Sequence, residues 1–499
     1  MKIISIETMR NLERRAIDSG VSGYTLMRRA GEGAAEEIRR FAQGKAFRRA
    51  VILAGRGNNG GDALVAAPLL GIPAVIYATG PLEMLRGEAA KAAGDLPEMI
   101  PVEVRDTLSA ADFHRGDLIV DGLLGTGFAG ELRPQFRNWI AAANSSGCPI
   151  VAIDLPSGIN GNTGTADSGL AIRAELTITF GFPKRGHFHG DGPAASGRLR
   201  LVDIGLADPD SPSGDAEEAF FAADAEKLLN PPAFDTYKNQ RGRLLIAAGS
   251  IDYSGAAALS AHAALRAGAG IVRLAVPARP FAALPGALIV RVVRSAEGCF
   301  DRKSLPELAA MMAQSDAVAA GSGWGMGKET GEVLSELLRF PGPLLLDADA
   351  LNTAAREPQR WVRRDRLVIT PHPGEARRLA DAFAIPYFEE RTQFALALAA
   401  ELGAVTVLKG PHTVVAAPDG RYSLNSSGCP ALATAGSGDV LGGIIGALLA
   451  RNPERPFEMA QLGVFLHGLA GELGAPGLIA DDLPELAARA AAMVRSFKS

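Results

Sequence analysis

Over the first 48 residues, apolar positions recur at helical spacing between charged neighbours: Leu12 and Ala16, then Leu26, Ala30, Ala34 and Ile38. The spacing predicts two amphipathic helices that cap a sheet. From residue 49 the pattern changes to short continuous apolar runs at 50–54, 74–78, 118–120, 150–153 and 176–180, separated by stretches of helical period. Strands buried on both faces read as unbroken Val, Ile, Leu and Ala, and helices between them imply parallel crossovers. The alternation stops at 207–218, Ala-Asp-Pro-Asp-Ser-Pro-Ser-Gly-Asp-Ala-Glu-Glu, which is too poor in apolar side chains to add to a core. A second series follows at 243–248, 271–276, 317–320, 344–346, 367–369 and 405–408. The pattern predicts an α/β protein of two three-layer αβα domains, residues 1–215 and 216–499.

Composition agrees with two cores, since 499 residues exceed what one core usually serves. With 51 basic against 55 acidic side chains, the net charge of −4 gives no electrostatic case for nucleic acid or an anionic membrane. Cys148, Cys299 and Cys429 stand far apart and form no CxxC pair, so a reducing compartment, the cytoplasm, is expected. The opening Met-Lys-Ile-Ile-Ser-Ile-Glu is too short an apolar run for a secretory signal, and no later run is long enough to cross a bilayer.

After the first predicted strand comes Gly55-Arg-Gly57-Asn58-Asn59-Gly60-Gly61-Asp62, a GxGxxG match leading into a helix. Such a loop lets backbone amides approach an anion, as in Rossmann-like domains. A dehydrogenase would place an acid at the end of the second strand, and 74–79 has none. Two further polar loops follow strands: Asp121 to Gly127, and Asp154-Leu-Pro-Ser157-Gly158. Loops at the carboxyl ends of parallel strands gather in one crevice, so Asn59, Asp121 and Ser157 could offer oxygens to one hard cation. Each of them alone is equally a turn or cap residue.

In the second half, Thr434-Ala435-Gly436-Ser437-Gly438-Asp439 precedes an apolar helical run. Small residues let amides face a phosphate at the helix start, with Asp439 beside the site of transfer. No GxxxxGK[ST] and no kinase HRD or DFG set occurs. His372 has no second histidine at ligand spacing and reads as a loop residue rather than a metal ligand. Asp347 and Asp349 could hold a metal or water, or cap a helix. His187, His189 and His467 read as structural or surface histidines, and Trp139, Trp324 and Trp361 as core or lid residues.

The ordered loops GNNGGD, DGLLGTG and DLPSG, followed by Phe180-Gly-Phe-Pro-Lys184-Arg-Gly, resemble the NAD(P)H-hydrate epimerase family over roughly residues 1–205. The resemblance implies that Asn59, Asp121 and Ser157 bind potassium. It also implies that Asn58, Asn59, Gly60, Gly61 and Asp62, then Gly125, Thr126, Gly127, Phe128 and Glu131, and Asp154 line a hydrate site. Asp154 is the candidate acid-base group, with Lys184 either its electrostatic partner or a solvated loop lysine. Ala63 departs from the family's GGDG and could narrow the phosphate approach.

GSIDYSG at 249–255, GSGWG at 321–325, LDADALN at 346–352, TPHPGE at 370–375, LKGPHT at 408–413 and the GSGD loop together resemble the ADP- or ATP-dependent NAD(P)H-hydrate dehydratases of the ribokinase-like superfamily, over about residues 225–499. By that resemblance Lys409, Gly410, Pro411, His412 and Thr413, with Thr434, Ala435, Gly436, Ser437 and Gly438, contact nucleotide. Gly323, His372, Pro373, Gly374, Glu375 and Asp439 contact the hydrate. Ala435 departs from the common GGTGD or GGSGD and could tighten the loop.

The two resemblances imply repair of hydrated NADH and NADPH: epimerisation of the hydrate, then nucleotide-dependent dehydration of its S form. Potassium, magnesium and ADP or ATP are the expected cofactors and cosubstrates. A homo-oligomer is expected, with no nucleic-acid or membrane partner. Two other readings stay open at this point: a ribokinase-like kinase of a vitamin precursor, and an N-terminal domain kept only as a binding module.

Overall fold

The computed structural model describes residues 1–209, 217–229, 234–279, 283–474 and 477–496. The chain forms two compact units, Met1–Ala219 and Phe220–Ser499. The boundary expected near residue 215 falls within 210–216, outside the described residues.

In the first unit seven strands, β1 (Arg49–Ala54), β2 (Ala74–Ala78), β3 (Val102–Val104), β4 (Asp117–Gly122), β5 (Ile150–Ile153), β6 (Leu176–Phe180) and β7 (Arg198–Val202), lie in the order β3-β2-β1-β4-β5-β6-β7. All pair in parallel. The period of two along each strand splits its apolar residues between two cores. Ala50, Ile52, Ala54, Leu118 and Val120 face the helices Gly23–Ala42 and Asn58–Ala66. Val51, Leu53, Ile119 and Ala152 face Trp139 and Ile140 of the helix Pro134–Ser145. The sheet is therefore buried on both sides, which is why its strands read as unbroken apolar runs. Strand order reverses between β1 and β4, the place where open α/β sheets leave a crevice.

The second sheet holds β8 (Ala219–Phe220), which spans the boundary, and then β9 (Arg243–Ala247), β10 (Ile271–Val276), β11 (Ile289–Val292), β12 (Ala317–Ala320), β13 (Leu344–Leu346), β14 (Leu367–Ile369), β15 (Val405–Leu408), β16 (Val414–Ala416) and β17 (Tyr422–Asn425). Their order is β11-β10-β9-β12-β13-β14-β15-β16-β17-β8. The run from β11 to β15 is parallel, and β16 and β17 add antiparallel strands. On one face Leu244, Ile246, Leu274 and Ala319 join a core with the helices Ser254–Arg266, Ser437–Arg451 and Pro456–Leu473. Leu245, Val318, Leu346 and Ile369, pointing the other way, are also buried. The reversal recurs between β9 and β12. Among the described residues, no helix is long and apolar enough to cross a membrane.

Candidate functional sites

The turn after β1 is shaped by what glycine omits. A Cβ at Gly55 would lie 1.9 Å from the Leu123 carbonyl, and one at Gly60 would lie 2.1 Å from the Gly55 carbonyl. Glycine therefore lets the loop after β4 close over the start of the helix Asn58–Ala66. There Asn59 Nδ2 donates to the Leu124 carbonyl at 2.9 Å, while Asn59 Oδ1 is buried with no hydrogen-bond partner. Ser157 Oγ donates to Asp121 Oδ1 at 2.6 Å, the Ser157 N–H to Asp121 Oδ2 at 2.8 Å, and the Leu124 N–H to Ser157 Oγ at 2.9 Å. Asp121 is fully buried, and burial pushes its carboxyl up to about 6 against the pull of the Ser157 and Leu123 hydrogen bonds. The structure thus gathers Asn59, Asp121 and Ser157 through the Leu124 peptide. The orphaned Asn59 amide oxygen and the buried Asp121 carboxylate are oxygen donors of the kind that a hard cation takes. Among the described residues, no group of three or more His, Cys, Asp or Glu could hold a metal ion.

A cavity of about 690 Å³ opens beside this cluster, bordered by Asn58, Asn59, Asp62, Gly125, Thr126, Gly127, Phe128, Glu131 and Asp154. Gly60 and Gly61 do not border it. They lie behind the wall, where a Cβ at Gly61 would meet the Met27 thioether at 2.6–2.8 Å. Ala63 is fully buried, and its methyl lies beside Gly122, where a Cβ would approach it to 2.6 Å. The narrowing expected there does not occur in the cavity. Sequence reasoning missed Met9, Arg10 and Glu13 on the cavity's rim, all on the helix Ile6–Asp18 read as a sheet cap. The available signal was an acid, Glu13, four residues after buried Met9 and next to buried Leu12.

The charges of the cavity are coupled. Asp154 has φ +62, and its Oδ1 receives Lys184 Nζ at 2.6 Å and Thr179 Oγ1 at 3.1 Å. Lys184 is fully buried and also donates to Thr179 Oγ1 at 2.9 Å and the Phe180 carbonyl at 3.0 Å. The solvated-lysine reading is thereby excluded. Burial, then the charges of Asp154 and Glu13, raise the Asp62 carboxyl well above its ordinary range, with Lys184 opposing. Burial likewise raises Glu13. The site pairs a carboxyl disposed to hold its proton with a carboxylate in an ion pair, an arrangement suited to acid-base work on one substrate.

In the second unit the helix Ser437–Arg451 begins at Gly436, whose φ of +88 favours glycine. A Cβ at Gly438 would sit 3.5 Å from Lys409 Nζ and 3.7 Å from Asp347 Oδ2, so the loop lies against an ion pair. Lys409 Nζ is 2.9 Å from Asp347 Oδ1 and 3.8 Å from Glu375 Oε2. Burial pulls the Lys409 ammonium down, but Asp347 and Glu375 outweigh it and hold it above its ordinary range. Asp439, in the first helical turn, is pushed up to about 6 by burial and then by the Asp347 charge, while a Ser322 hydrogen bond and Lys409 oppose.

Other candidates fall around this centre. His372 caps the helix Pro373–Ala382: its Nδ1 accepts from the Gly374 N–H at 3.0 Å, and its own N–H donates to Glu375 Oε2 at 2.8 Å. Gly323 follows Ser322 and has φ +64. Asp349 accepts from the Gly325 N–H at 2.9 Å, so Asp347 and Asp349 serve different partners rather than one paired site. The loop from Lys409 to Thr413 is braced by Arg391, which donates to the Leu408 and Pro411 carbonyls, while His412 Nδ1 meets the Asn425 carbonyl at 2.9 Å. Ala435 is exposed, and the Ser437 N–H reaches the Thr434 carbonyl at 3.3 Å. Buried His467 contacts Ser437 Oγ at 3.1 Å. Trp139 and Trp324 are fully buried, and Trp324 Nε1 donates to the Ala247 carbonyl at 2.8 Å.

Residues 23–186 match the family described as YjeF-related protein N-terminus, and residues 244–490 match NAD(P)H-hydrate dehydratase. Over 496 residues the chain is 34% identical to the bifunctional NAD(P)H-hydrate repair enzyme Nnr of Coxiella burnetii, covering 95% of this chain and 96% of that one. The chain belongs to the family of bifunctional NAD(P)H-hydrate repair enzymes. Its Escherichia coli K12 relative is 36% identical over 492 residues, 96% of this chain and 91% of that one. Among solved structures, the ADP/ATP-dependent NAD(P)H-hydrate dehydratase of Bacillus subtilis aligns with 56% of this chain and 100% of its own at 27% identity and a TM-score of 0.44. Both resemblances drawn from the loop motifs are borne out at the level of the family. The YjeF-related match takes in the three motif loops of the first cavity but leaves out Met9, Arg10, Glu13 and Ile17 before it and Ile204 after it.

Proposed function

We propose that the first unit interconverts the R and S epimers of hydrated NADH and NADPH. We propose also that the second dehydrates the S epimer with ADP or ATP, releasing NADH or NADPH, phosphate and AMP or ADP. The observation that carries this reading is that each unit has a carboxylate at the crevice of a doubly wound sheet, buried Asp154 beside Lys184 and half-buried Asp439 beside a glycine helix start.

In the first site the hydrate's hydroxyl sits on the carbon next to the ring nitrogen, whose lone pair can expel it. Asp62 and Asp154 would give and take the proton of that hydroxyl, and return of water to the other ring face gives the other epimer. Potassium would be held by Asn59, Asp121 and Ser157, and when bound it supplies positive charge beside the hydrate's phosphates. In the second site Asp439 takes the proton of the hydrate's hydroxyl as the hydroxyl oxygen bonds to the terminal phosphorus of the nucleotide and the bond from that phosphorus to the departing AMP or ADP breaks. The Gly436 to Gly438 amides stabilise charge on the moving group. The ring nitrogen then expels phosphate, and loss of a proton from the neighbouring carbon restores the reduced nicotinamide. Magnesium would arrive on the nucleotide phosphates and neutralise their charge. We take the enzyme to be cytoplasmic and homo-oligomeric.

Single epimers separate the two steps. With ADP and magnesium, Asp154→Asn should still recover NADH from S-hydrate but not from R-hydrate, and Asp439→Asn should recover it from neither. Recovery from R-hydrate by Asp154→Asn at the wild-type rate would refute the epimerase assignment.

A further inference from the structure

We infer that His187 is a positioning residue for epimerisation, holding the main chain in the one conformation that lets Asp154 and Lys184 form their ion pair. The inference rests on the reading of Asp154 as the acid-base group. His187 is fully buried and does not border the cavity, so it would act through other residues. Its Nδ1 accepts the Lys184 backbone N–H at 3.1 Å, which puts the ring proton on Nε2, and Nε2 donates to the Asp154 carbonyl at 2.8 Å. One ring therefore joins the main chains of the two residues whose side chains meet at 2.6 Å.

Asp154 has need of such a tie. At φ +62 it occupies a region uncommon for residues with a Cβ, which Asp enters more readily than most and which hydrogen bonds to its backbone hold in place. Its N–H is fixed by the Ile178 carbonyl at 2.7 Å, and His187 fixes its carbonyl. Without the ring, the peptide after Asp154 could rotate toward ordinary backbone angles and swing the carboxylate away from Lys184 Nζ. Thr179 Oγ1, bonded to both side chains, holds the pair only once it has formed.

The test uses the full-length protein and purified R-hydrate of NADH without nucleotide, following the appearance of the S epimer by chromatography. His187→Phe keeps the volume and removes both hydrogen bonds. It should lower epimerisation kcat by about 30-fold, the order expected for a broken buried pair, and leave KM nearly unchanged. Nucleotide-dependent dehydration of S-hydrate, carried by the second unit, should stay at the wild-type rate, and an unchanged near-ultraviolet circular dichroism spectrum serves as the folding control. Added to Asp154→Asn, His187→Phe should cause no further fall.

A His187→Phe kcat equal to wild type would overturn the inference, as would the same 30-fold fall on the Asp154→Asn background. Asp154→Asn at full rate would instead overturn the reading on which it rests. Should His187→Phe fail to fold, two amides keep the question open to test. Glutamine places a donor near Nε2, whereas asparagine places an acceptor near Nδ1. H187Q must then turn over faster than H187N, and the reverse order would sink the proposal.

Discussion

Replacing Asp439 by asparagine removes a proton acceptor while keeping the shape of the helix start, and it should move activity and stability in opposite directions. The folded carboxyl lies at about 6 against an ordinary 3.8, because burial and the Asp347 charge outweigh the Ser322 hydrogen bond and Lys409. A difference of about two units corresponds to about 3 kcal/mol at most. A carboxyl raised in this way contributes stability that is complete below pH 3.8 and lost as pH rises through about 6. Asparagine does not titrate, so the variant's advantage over wild type is absent near pH 3.8 and full above pH 6. Thermal unfolding at pH 8 should show a midpoint higher by several degrees, and the gain should shrink at pH 5. Dehydration of S-hydrate should fall by about 10²–10⁴-fold, the usual contribution of a general base. In wild type, kcat should rise with pH through about 6 as the base ionises. Dehydration within a fewfold of wild type, or a lower midpoint at pH 8, would refute the reasoning.

Lys184→Met removes the cation in contact with Asp154, which lies near Asp62 and Glu13, so it should lower stability to urea at pH 7 by about 3–5 kcal/mol and abolish epimerisation; a loss under about 1 kcal/mol would contradict the buried pair. Lys409→Met uncovers the Asp347 and Glu375 carboxylates and should weaken ADP binding by at least about tenfold in a calorimetric titration, where an unchanged affinity would count against the nucleotide assignment. Exchanging potassium for tetramethylammonium should slow epimerisation by about tenfold or more. Asp121→Asn should be equally slow in either salt, and a variant that still responded to potassium would place the ion elsewhere.

What the sequence revealed followed from burial. Strands covered on both faces, such as 150–153 and 344–346, stood out because every position is apolar. Most of the strands that escaped notice sit at sheet edges, whereas β16 and β17 lie inside the second sheet and are short. Val102–Val104 and Ile289–Val292 are exposed edges, Arg198–Val202 alternates Arg and Leu, and Val414–Ala416 with Tyr422–Asn425 is a hairpin turning at Asp419 and Gly420. Half-covered strands lack the continuous apolar signal. The site loops were legible because strand ends in a parallel sheet converge. Glu13 was not, because its neighbours in space, Asp62 and Asp154, are distant in sequence. The depth of Lys184 could not be read from its charge. Its buried partners, a carboxylate, a hydroxyl and a carbonyl, are what keep it below the surface.

Chemically prepared NADH hydrate of mixed epimers, given to the whole protein with potassium, magnesium and ADP or ATP, tests two linked activities most directly through recovery of the reduced-nicotinamide absorbance. Nucleotide-dependent recovery that continues past the S fraction to the whole mixture is the predicted result. Recovery that stops at the S fraction would contradict the epimerase unit, and none with either nucleotide would contradict the dehydratase.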